Sequence, residues 1–354
     1  MKRLFKYTLP VLIACPMMLA ACSEWTESES LGVYYPSPEE MNPELYAAYI
    51  QNLKNYKAGE HKMVIVSFDN IQGTPYKQAE RLTVIPDSVD VVCLNNPDNL
   101  CDEYQAEMLE IREKGTRIVY RIGYADFETD WKTMLEKNTE LTEEQFLAYI
   151  GQRTDEMLAL CDKYGYDGIM VDYSGQLYTS VKESELPVYN ARQQAFLNRF
   201  TQWKGTHPNK MLMFYGDVQN LVPENMAILG ECICILLKTA ASTGATDINQ
   251  KVKQAIEVGD EAAEEYYDGQ SPVPTDRFIA CTQLINEKNE THYWKTKDAD
   301  GSLMLASKGT AFWVEQSSPE YVRKGIFVLD VQDEYHNREY RLLREIINIV
   351  NPNK

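Results

Sequence analysis

The sequence predicts a single (β/α)8 barrel that follows an export signal and a short linker. Eight short apolar runs alternate with amphipathic helical stretches, and a chain of 354 residues accommodates one such barrel with a leader. The predicted strands are 63–68, 89–94, 117–122, 168–173, 211–215, 232–237, 277–282 and 325–329. A doubly wound open sheet is the structural alternative. Because no Gly-x-Gly-x-x-Gly loop follows the first run, the barrel is favoured.

The first 21 residues are typical of a bacterial export signal. Three basic residues, Lys2, Arg3 and Lys6, precede an apolar run at 9–18 that is too short to cross a bilayer. The sequence Leu-Ala-Ala-Cys at 19–22 fits a lipobox, which predicts cleavage before Cys22 and lipidation of its thiol. We therefore expect a protein that is anchored by lipid at Cys22 to the outer membrane or cell surface.

Residues 22–42 are predicted to form an acidic tether that contains Ser, Glu and Pro, and residues 43–354 are predicted to form the barrel domain. The acidic segment 23–29 is similar to the export sequences of surface lipoproteins. The apolar spacing at 43–58 predicts a helix that ends at Gly59. The net charge is −18, and removal of the signal takes away three positive charges and no negative one. Nucleic acid is therefore not an expected partner.

Six cysteines remain beyond the signal and Cys22, and the sequence leaves their disulfide state open. Four of them lie in apolar strand-like runs, where buried free thiols are the commoner outcome: Cys93, Cys232, Cys234 and Cys281. The spacing of Cys232 and Cys234 places both on one strand face, but no matching histidines accompany them. The four histidines are scattered, so we expect neither a metal site nor a cofactor nor a Ser-His-Asp triad.

The run 166–174, Tyr-Asp-Gly-Ile-Met-Val-Asp-Tyr-Ser, carries the main functional signal. Alternate side chains of a strand share a face, so Met170, Asp172 and Ser174 are predicted to point one way and Tyr173 the other. In a parallel barrel the first three would fill the interior and reach the mouth at the carboxyl ends of the strands, where active sites of this fold lie. Ser174 would be nearest the substrate.

This run resembles the fourth strand of glycoside hydrolase family 18, the chitinase and endo-β-N-acetylglucosaminidase family, whose motif reads Asp-Gly-x-Asp-x-Asp-x-Glu. Asp167, Gly168 and Asp172 match, Met170 replaces the middle Asp, and Ser174 replaces the proton-donating Glu. The resemblance implies substrate-assisted cleavage, in which the 2-acetamido oxygen attacks C1, an Asp steadies the oxazolinium and Glu protonates the leaving oxygen. It implies residual catalytic positions at Asp167 and Asp172. Loss of the acid puts a factor of about 10²–10⁴ in rate at risk.

The resemblance extends over about residues 60–352 and belongs to a bacterial lipoprotein branch of the family. Its departures are concentrated at catalytic positions. The third strand ends in Arg-Ile-Gly-Tyr at 121–124, where only Gly123 matches the family's Ser-x-Gly-Gly. The sixth strand lacks the Tyr that holds the acetamido group, and the eighth, which ends near Asp330, lacks the usual Trp. The terminal segment 340–352 resembles the closing helix of that branch.

Aromatic and polar side chains at strand ends are the predicted glycan contacts, because that end of the barrel carries the ligand. They are Phe68, Asn95, Asn96, Tyr124, Tyr173, Tyr215, Asp217, Asp330 and Trp294. By strand parity Tyr173 is also compatible with the helical layer. Trp294 lies in the polar stretch 290–301, which is predicted to be a loop over the mouth that forms a lid. Trp313 is predicted to pack a helix onto the barrel.

We expect a surface lipoprotein that binds GlcNAc-containing glycans of N-glycan or chitin type without cleaving them. By analogy with the family, it would pass the glycan to an outer-membrane transporter and its binding lipoprotein. Two alternatives remain. One is an active endo-β-N-acetylglucosaminidase in which Asp217, Asp330 or Glu334 has become the acid, and the other is a structural scaffold. A carboxyl group within hydrogen-bond reach of the glycosidic oxygen of a bound glycan would favour the enzyme, whereas an aromatic-lined cleft without one would favour binding.

Overall fold

The computed structural model describes residues 36–284 and 293–352, and it contains a closed barrel of eight parallel strands. Its strands are β1 (Met63–Phe68), β2 (Val91–Leu94), β3 (Arg117–Gly123), β4 (Gly168–Tyr173), β5 (Met211–Gly216), β6 (Ile235–Leu237), β7 (Phe278–Gln283) and β10 (Arg323–Leu329). Around the barrel they follow the order β1-β10-β7-β6-β5-β4-β3-β2. The predicted (β/α)8 barrel is therefore confirmed. Two further strands, β8 (Tyr293–Lys297) and β9 (Leu303–Leu305), pair antiparallel outside it.

Helices alternate with the strands. They are α1 (Pro38–Met41), α2 (Pro43–Ala58), α3 (Asp102–Glu113), α4 (Tyr124–Lys137), α5 (Glu143–Lys163), α6 (Leu186–Thr206), α7 (Ile228–Glu231), α8 (Ala245–Tyr266), α9 (Ala306–Glu315) and α10 (Arg341–Val350). Short 3₁₀ turns occupy Gln78–Glu80, Leu82–Val84, Tyr178–Ser180, Val218–Asn220, Pro223–Asn225 and Val331–Glu334. The helix predicted at 43–58 is confirmed. No helix in the described part of the chain is long and apolar enough to span a bilayer.

The chain separates into a unit that ends at Tyr49 and a unit that begins at Ile50. In the first unit the described residues form α1 and the start of α2. A capping box begins α1, since the Ser37 hydroxyl accepts from the Glu40 N–H at 3.2 Å and the Glu40 carboxylate accepts from the Ser37 N–H at 2.7 Å. The predicted signal, the lipidation residue Cys22 and most of the predicted tether lie outside the described residues.

The barrel strands bury apolar side chains on both faces, which accounts for their nearly continuous apolar sequences. Alternate residues form an interior cluster that consists of Ile65, Val91, Cys93, Val119, Met170, Met213, Cys234, Leu236, Ile279, Cys281 and Phe327. The other alternate residues pack against the helices in a larger outer cluster. The interior is a packed core, as is usual for this fold, and polar side chains begin only above it, at the carboxyl ends of the strands.

The motif glycine of strand β4 has a structural role. A Cβ atom on Gly168 would lie 2.2 Å from the Met211 carbonyl oxygen, and one on Gly325 would lie 2.0 Å from the Met63 carbonyl oxygen. Both positions are points where neighbouring parallel strands approach closely at the amino end of the barrel. Glycine is required there by space, and not by the chemistry of the mouth.

The predicted strand at 232–237 is shorter in the structure, and this corrects the expectation that Cys232 and Cys234 share a face. Helix α7 ends at Glu231 and β6 begins only at Ile235. Cys232 packs in the outer cluster, with its thiol 3.3 Å from the Ile228 carbonyl oxygen, whereas Cys234 lies in the interior cluster. All six cysteines of the described residues are free thiols, and five are buried.

Candidate functional site

Strand β4 delivers its alternate side chains to the barrel interior, as its pattern predicts. Met170 lies within the interior cluster, with its sulfur 4.0 Å from the Cys93 sulfur. Asp172 is one step higher and is 5% exposed. Ser174 is partly exposed just beyond the strand, and its hydroxyl lies 3.4 Å from Asp172 Oδ1. The position of the family's middle Asp is therefore apolar, and the polar mouth begins at Asp172.

Asp172 is held between two cations. Arg121, on strand β3, donates from Nη1 to Asp172 Oδ2 at 2.7 Å. Lys238, directly after strand β6, donates from Nζ to Asp172 Oδ1 at 2.6 Å. Charge-assisted hydrogen bonds of this kind fix the carboxylate in one orientation. Arg121 also lies 3.3 Å from the exposed carboxylate of Asp126.

The ammonium group of Lys238 also donates to the Ser174 hydroxyl. Its Nζ atom lies 4.6 Å from the centre of the Tyr215 ring, which is a cation–π arrangement. Tyr215 itself is half-buried, with its hydroxyl 3.7 Å from the Cys281 sulfur and its ring edge-on to Phe327. Burial raises the pKa of the Tyr215 hydroxyl, so this phenol stays neutral. Lys238 is thus the centre of the polar mouth.

A second polar group lies at the ends of β1, β2 and β10. The Asp330 N–H donates to the Ser67 hydroxyl at 2.7 Å, and Asp330 Oδ1 is 3.2 Å from both the Ser67 hydroxyl and Asn95 Nδ2. Asp330 adopts a left-handed backbone (φ 49°), which Asp tolerates better than most residues. Asn96 instead pairs with Asn70 and Asp69 and supports the neighbouring loop. Asp330 and Asn95 are therefore brought together, and Asn96 lies beside them.

Three predicted aromatic contacts are not at the mouth, which corrects the prediction that they contact a ligand there. Phe68, Tyr124 and Tyr173 belong to the outer cluster and are at most 4% exposed. The Tyr173 hydroxyl accepts a hydrogen bond from the Gln193 amide at 2.8 Å, so it is bonded within the helical layer. The physical reason is strand parity, because Phe68 and Tyr173 alternate with the inward-facing Ser67 and Asp172.

Trp294 does not form an open lid. It lies on strand β8, is 5% exposed, and packs its ring against Gly309 of helix α9, where a Cβ atom would come within 2.4 Å of the ring. Of the stretch 290–301 predicted as a loop, residues 293–301 belong to a hairpin formed by β8 and β9, and residues 290–292 lie outside the described part. Trp313, on helix α9, is buried and its ring lies 4.4 Å from the guanidinium of Arg323 on strand β10, so the prediction that it packs a helix onto the barrel is confirmed.

The remaining predicted carboxylates have partners away from Asp172. Asp167 lies at the amino end of β4, where it pairs with Arg112 at 2.9 Å and accepts from the Ile118 N–H at 2.8 Å; its predicted catalytic position is therefore corrected to a structural one. Asp217 pairs with Lys251 of helix α8 at 2.7 Å. Glu334 is 3% exposed and accepts from the N–H groups that begin helix α10, those of Leu342 at 2.7 Å and Leu343 at 3.2 Å.

The sequence interpretation did not include Arg121, Lys238 and Ser67 among the site residues. Each had a visible signal, since each is a polar residue with the inward parity at or near the end of an apolar strand. No group of three or more His, Cys, Asp or Glu residues in the described ranges is arranged to hold a metal ion.

The barrel and the strand β4 sequence define a (β/α)8 protein of the glycoside hydrolase class. The family model of glycoside hydrolase family 18, BT1044-like, matches residues 26–349, so the chain belongs to this family. No curated protein sequence matches it. The family predicted from the strand β4 motif is therefore confirmed.

Solved structures show the same fold at low sequence identity. A selenomethionine form of BT1044 with a glutamate-to-glutamine substitution is 16% identical, with a TM-score of 0.57, over 90% of this chain and 96% of that one. An endo-β-N-acetylglucosaminidase from Cordyceps militaris is 15% identical, with a TM-score of 0.54, over 86% and 96%. The second catalytic domain of a Group II chitinase from Ostrinia furnacalis is 9% identical, with a TM-score of 0.52, over 83% and 98%.

Proposed function

We propose that this chain is a non-catalytic member of glycoside hydrolase family 18 that binds a GlcNAc-containing glycan at the mouth of its barrel. The observation that carries the proposal is the ammonium of Lys238 beside Ser174, at the position where the family motif has its proton-donating Glu. A serine hydroxyl is too weak an acid for this task. The Lys238 ammonium is held at this position by its ion pair with Asp172.

The same geometry supports binding. Arg121 and Lys238 hold Asp172 in a fixed orientation, and a carboxylate oxygen can accept more than one hydrogen bond. Asp172 is therefore a preorganised acceptor for the N–H of a 2-acetamido group. Asp330, with Ser67 and Asn95, supplies the mixture of acceptors and neutral donors that suits sugar hydroxyl groups. Tyr215 is the one predicted aromatic contact that faces this interior.

The relocated-acid alternative is less well supported by the contacts. Asp217 forms an ion pair with Lys251, and the Glu334 carboxylate accepts a hydrogen bond from an N–H group at the start of helix α10. The Asp330 carboxylate accepts from the neutral donors of Ser67 and Asn95, so it is the carboxylate to test as an alternative acid. A general acid must reach the glycosidic oxygen at hydrogen-bond distance and hold a proton near working pH.

Anchoring at the cell surface is part of the proposal. The lipobox at 19–22 supports a lipid on Cys22, and the acidic segment after it is typical of an exported tether. A glycan held at the barrel mouth would then pass to an outer-membrane transporter and its binding lipoprotein. Growth on glycans and membrane fractionation would test this part separately from glycan binding.

The proposal is tested by exposing the purified protein to N-glycoproteins and chitooligosaccharides and measuring binding and cleavage in the same samples. We expect bound glycan by calorimetry and no released product by mass spectrometry. Turnover above about 1 s⁻¹ that is lost in Asp330→Asn and survives in Ser174→Ala would make the chain an enzyme with a relocated acid. If the protein neither binds nor cleaves these glycans, the alternative of a structural scaffold would remain.

A further inference from the structure

A cavity of about 640 Å³ opens at the amino end of the barrel, where β1 and β10 begin, and therefore at the end opposite to the proposed glycan site. Its polar lining includes His61, Lys62, Arg323 and Lys324, with Glu60 as its one carboxylate among the described lining residues. The chain as a whole has a net charge of −18. The cavity is therefore rich in positive charge, although the protein as a whole is acidic.

The lysines and the arginine of this cavity have no carboxylate partner among the described residues. Lys62 donates from Nζ to the Arg323 carbonyl oxygen at 2.7 Å, and Arg323 donates from Nη1 to the Trp313 carbonyl oxygen at 2.6 Å. Neither these two residues nor Lys324 forms an ion pair within 4.0 Å in the described ranges. Asp90 is not a lining residue, and its Oδ1 atom lies 2.8 Å from His61 Nε2. Among the described residues, no carboxylate therefore pairs directly with these three cations, and Glu315 acts on Lys62 only from a greater distance.

Arg323 is a buried cation beside the cavity. The residue is 8% exposed, and its Nε atom is buried without a hydrogen-bond partner in the described part of the chain. Its guanidinium lies 4.4 Å from the centre of the Trp313 ring and 5.7 Å from that of Tyr321, which orients the plane of the group. A buried cation without a counter-ion is costly, and contacts with ring faces and a carbonyl compensate for it only in part.

Lys62, which also lines the cavity, is affected by the same positive charge. Burial, and then the positive charges of Arg323 and Lys324, lower the pKa of Lys62, and the negative charge of Glu315 opposes them only in part. An anion in the cavity would place negative charge beside Lys62, Arg323 and Lys324, all of which line it. The Arg323 guanidinium, with Nη1 on the Trp313 carbonyl oxygen and Nε buried, adds its fixed positive charge to this potential.

We propose that this cavity binds a phosphate or sulfate group, held by Lys62, Arg323 and Lys324. Three cations match a doubly charged oxyanion better than a single carboxylate. Besides the polar residues Glu60, His61 and Asn351, the lining includes the apolar or aromatic residues Tyr56, Val322, Val350 and Pro352, of which Val322 is 47% exposed. This rim fits the organic part of an ester, so the ligand class is a phosphate or sulfate monoester. A lipid headgroup and a soluble ester share this chemistry.

Calorimetry with inorganic phosphate and inorganic sulfate, at constant ionic strength, tests the cavity directly on the purified, non-lipidated protein. We expect saturable binding of at least one anion, and weakening by about ten-fold in Lys324→Met and in Lys62→Met. The matched control is Lys182→Met, which removes an exposed lysine that pairs with Glu185 and should leave the affinity unchanged. Absence of saturable binding, or equal affinity in wild type and both cavity variants, would overturn the proposal.

Two further arms assign the source of the anion. Glycerol phosphate is compared with inorganic phosphate by calorimetry, and vesicles of phosphatidylglycerol are compared with vesicles of phosphatidylcholine by co-sedimentation. Sedimentation with the anionic vesicles that is lost in Lys324→Met would support the site and assign it to a lipid headgroup. Tight glycerol phosphate binding without sedimentation would support it and assign a soluble ester. Vesicle binding that persists in Lys324→Met, with no binding of soluble phosphate, would contradict the cavity as the site.

Discussion

Lys238 and Asp172 form an ion pair across the barrel mouth, with 2.6 Å between Lys238 Nζ and Asp172 Oδ1. The two residues come from β4 and from the chain after β6, so the pair joins separate parts of the barrel wall. Asp172 is almost fully buried, and Lys238 also contacts the Ser174 hydroxyl. A positively charged ammonium group therefore lies beside Ser174, the position at which the family motif has its proton-donating Glu.

The first prediction concerns the strength of this pair. A double-mutant cycle with Asp172→Asn and Lys238→Met should give a coupling energy of about 1–3 kcal/mol by urea unfolding, because Asp172 is shielded from water. The exposed pair Lys182–Glu185, at 3.1 Å, is the matched control and should couple by about 0.3–0.5 kcal/mol. Equal coupling in the two cycles would show that the mouth pair is as well solvated as the surface pair.

The second prediction is that restoring the glutamate does not restore hydrolysis. In Ser174→Glu the new carboxylate would lie beside Lys238, and an adjacent cation lowers the pKa of a carboxyl group. The residue would be ionised when a proton donor is needed. Mass spectrometry of chitooligosaccharide digests should find no product, as in the uncharged control Ser174→Gln. Turnover by Ser174→Glu alone would mean that Lys238 does not control this position.

The third prediction separates Glu334 from the chemistry of the mouth. Glu334→Ala should lower the free energy of unfolding by about 1–2 kcal/mol, because the first N–H groups of α10 lose their acceptor. Glycan affinity should not change. Glu320→Ala, at an exposed position, is the control and should be nearly neutral. A loss of glycan affinity in Glu334→Ala, at unchanged stability, would contradict the structural role.

The fourth prediction concerns alkaline stability. Burial lowers the pKa of Lys57 from 10.5 to about 8, and its Nζ donates to the Val89 carbonyl oxygen at 2.8 Å. The folded protein therefore holds this proton less tightly than the unfolded chain. The resulting cost is fully present below pH 8 and is progressively relieved as the pH rises from about 8 towards 10.5.

Urea unfolding at pH 7.5, 9 and 10 would measure this effect against Lys57→Met, which has no group to titrate there. The stability of wild type should rise relative to the variant across this range. The comparison between the two proteins removes the contribution of other groups that titrate in both, such as tyrosines. A constant difference between wild type and Lys57→Met would show that the pKa of Lys57 is not lowered.

The fold could be predicted from the sequence because the apolar runs alternate with helices of the right length. Both faces of each strand are buried, which makes these runs nearly continuous. The sequence also placed Met170, Asp172 and Ser174 on the inner face, since parity is a local property of a strand. The outward position of Tyr173 follows from the same rule. Phe68 also follows this rule, since it alternates with the inward-facing Ser67 and therefore lies on the outer face although it ends its strand.

The contacts of the mouth could not be predicted in the same way. Lys238 meets Asp172 because β6 and β4 lie on opposite sides of β5 in the closed barrel. The helix-starting role of Glu334 depends on a left-handed backbone at Tyr340, which no local pattern shows. Distances between separate strands are decided by closure of the barrel and not by local sequence.

The most direct test of the proposed glycan site is calorimetry of wild type and Asp172→Ala with a biantennary N-glycan. Wild type should bind with a dissociation constant on the order of 1 mM to 1 μM, because a site for a single sugar offers few buried contacts. Loss of the charge-assisted bond to the acetamido N–H should weaken binding by about ten-fold or more in Asp172→Ala. Thermal melting of both proteins serves as the check that the variant is folded. Equal affinity in folded wild type and folded Asp172→Ala, or no binding of wild type to any GlcNAc-containing glycan, would contradict the account.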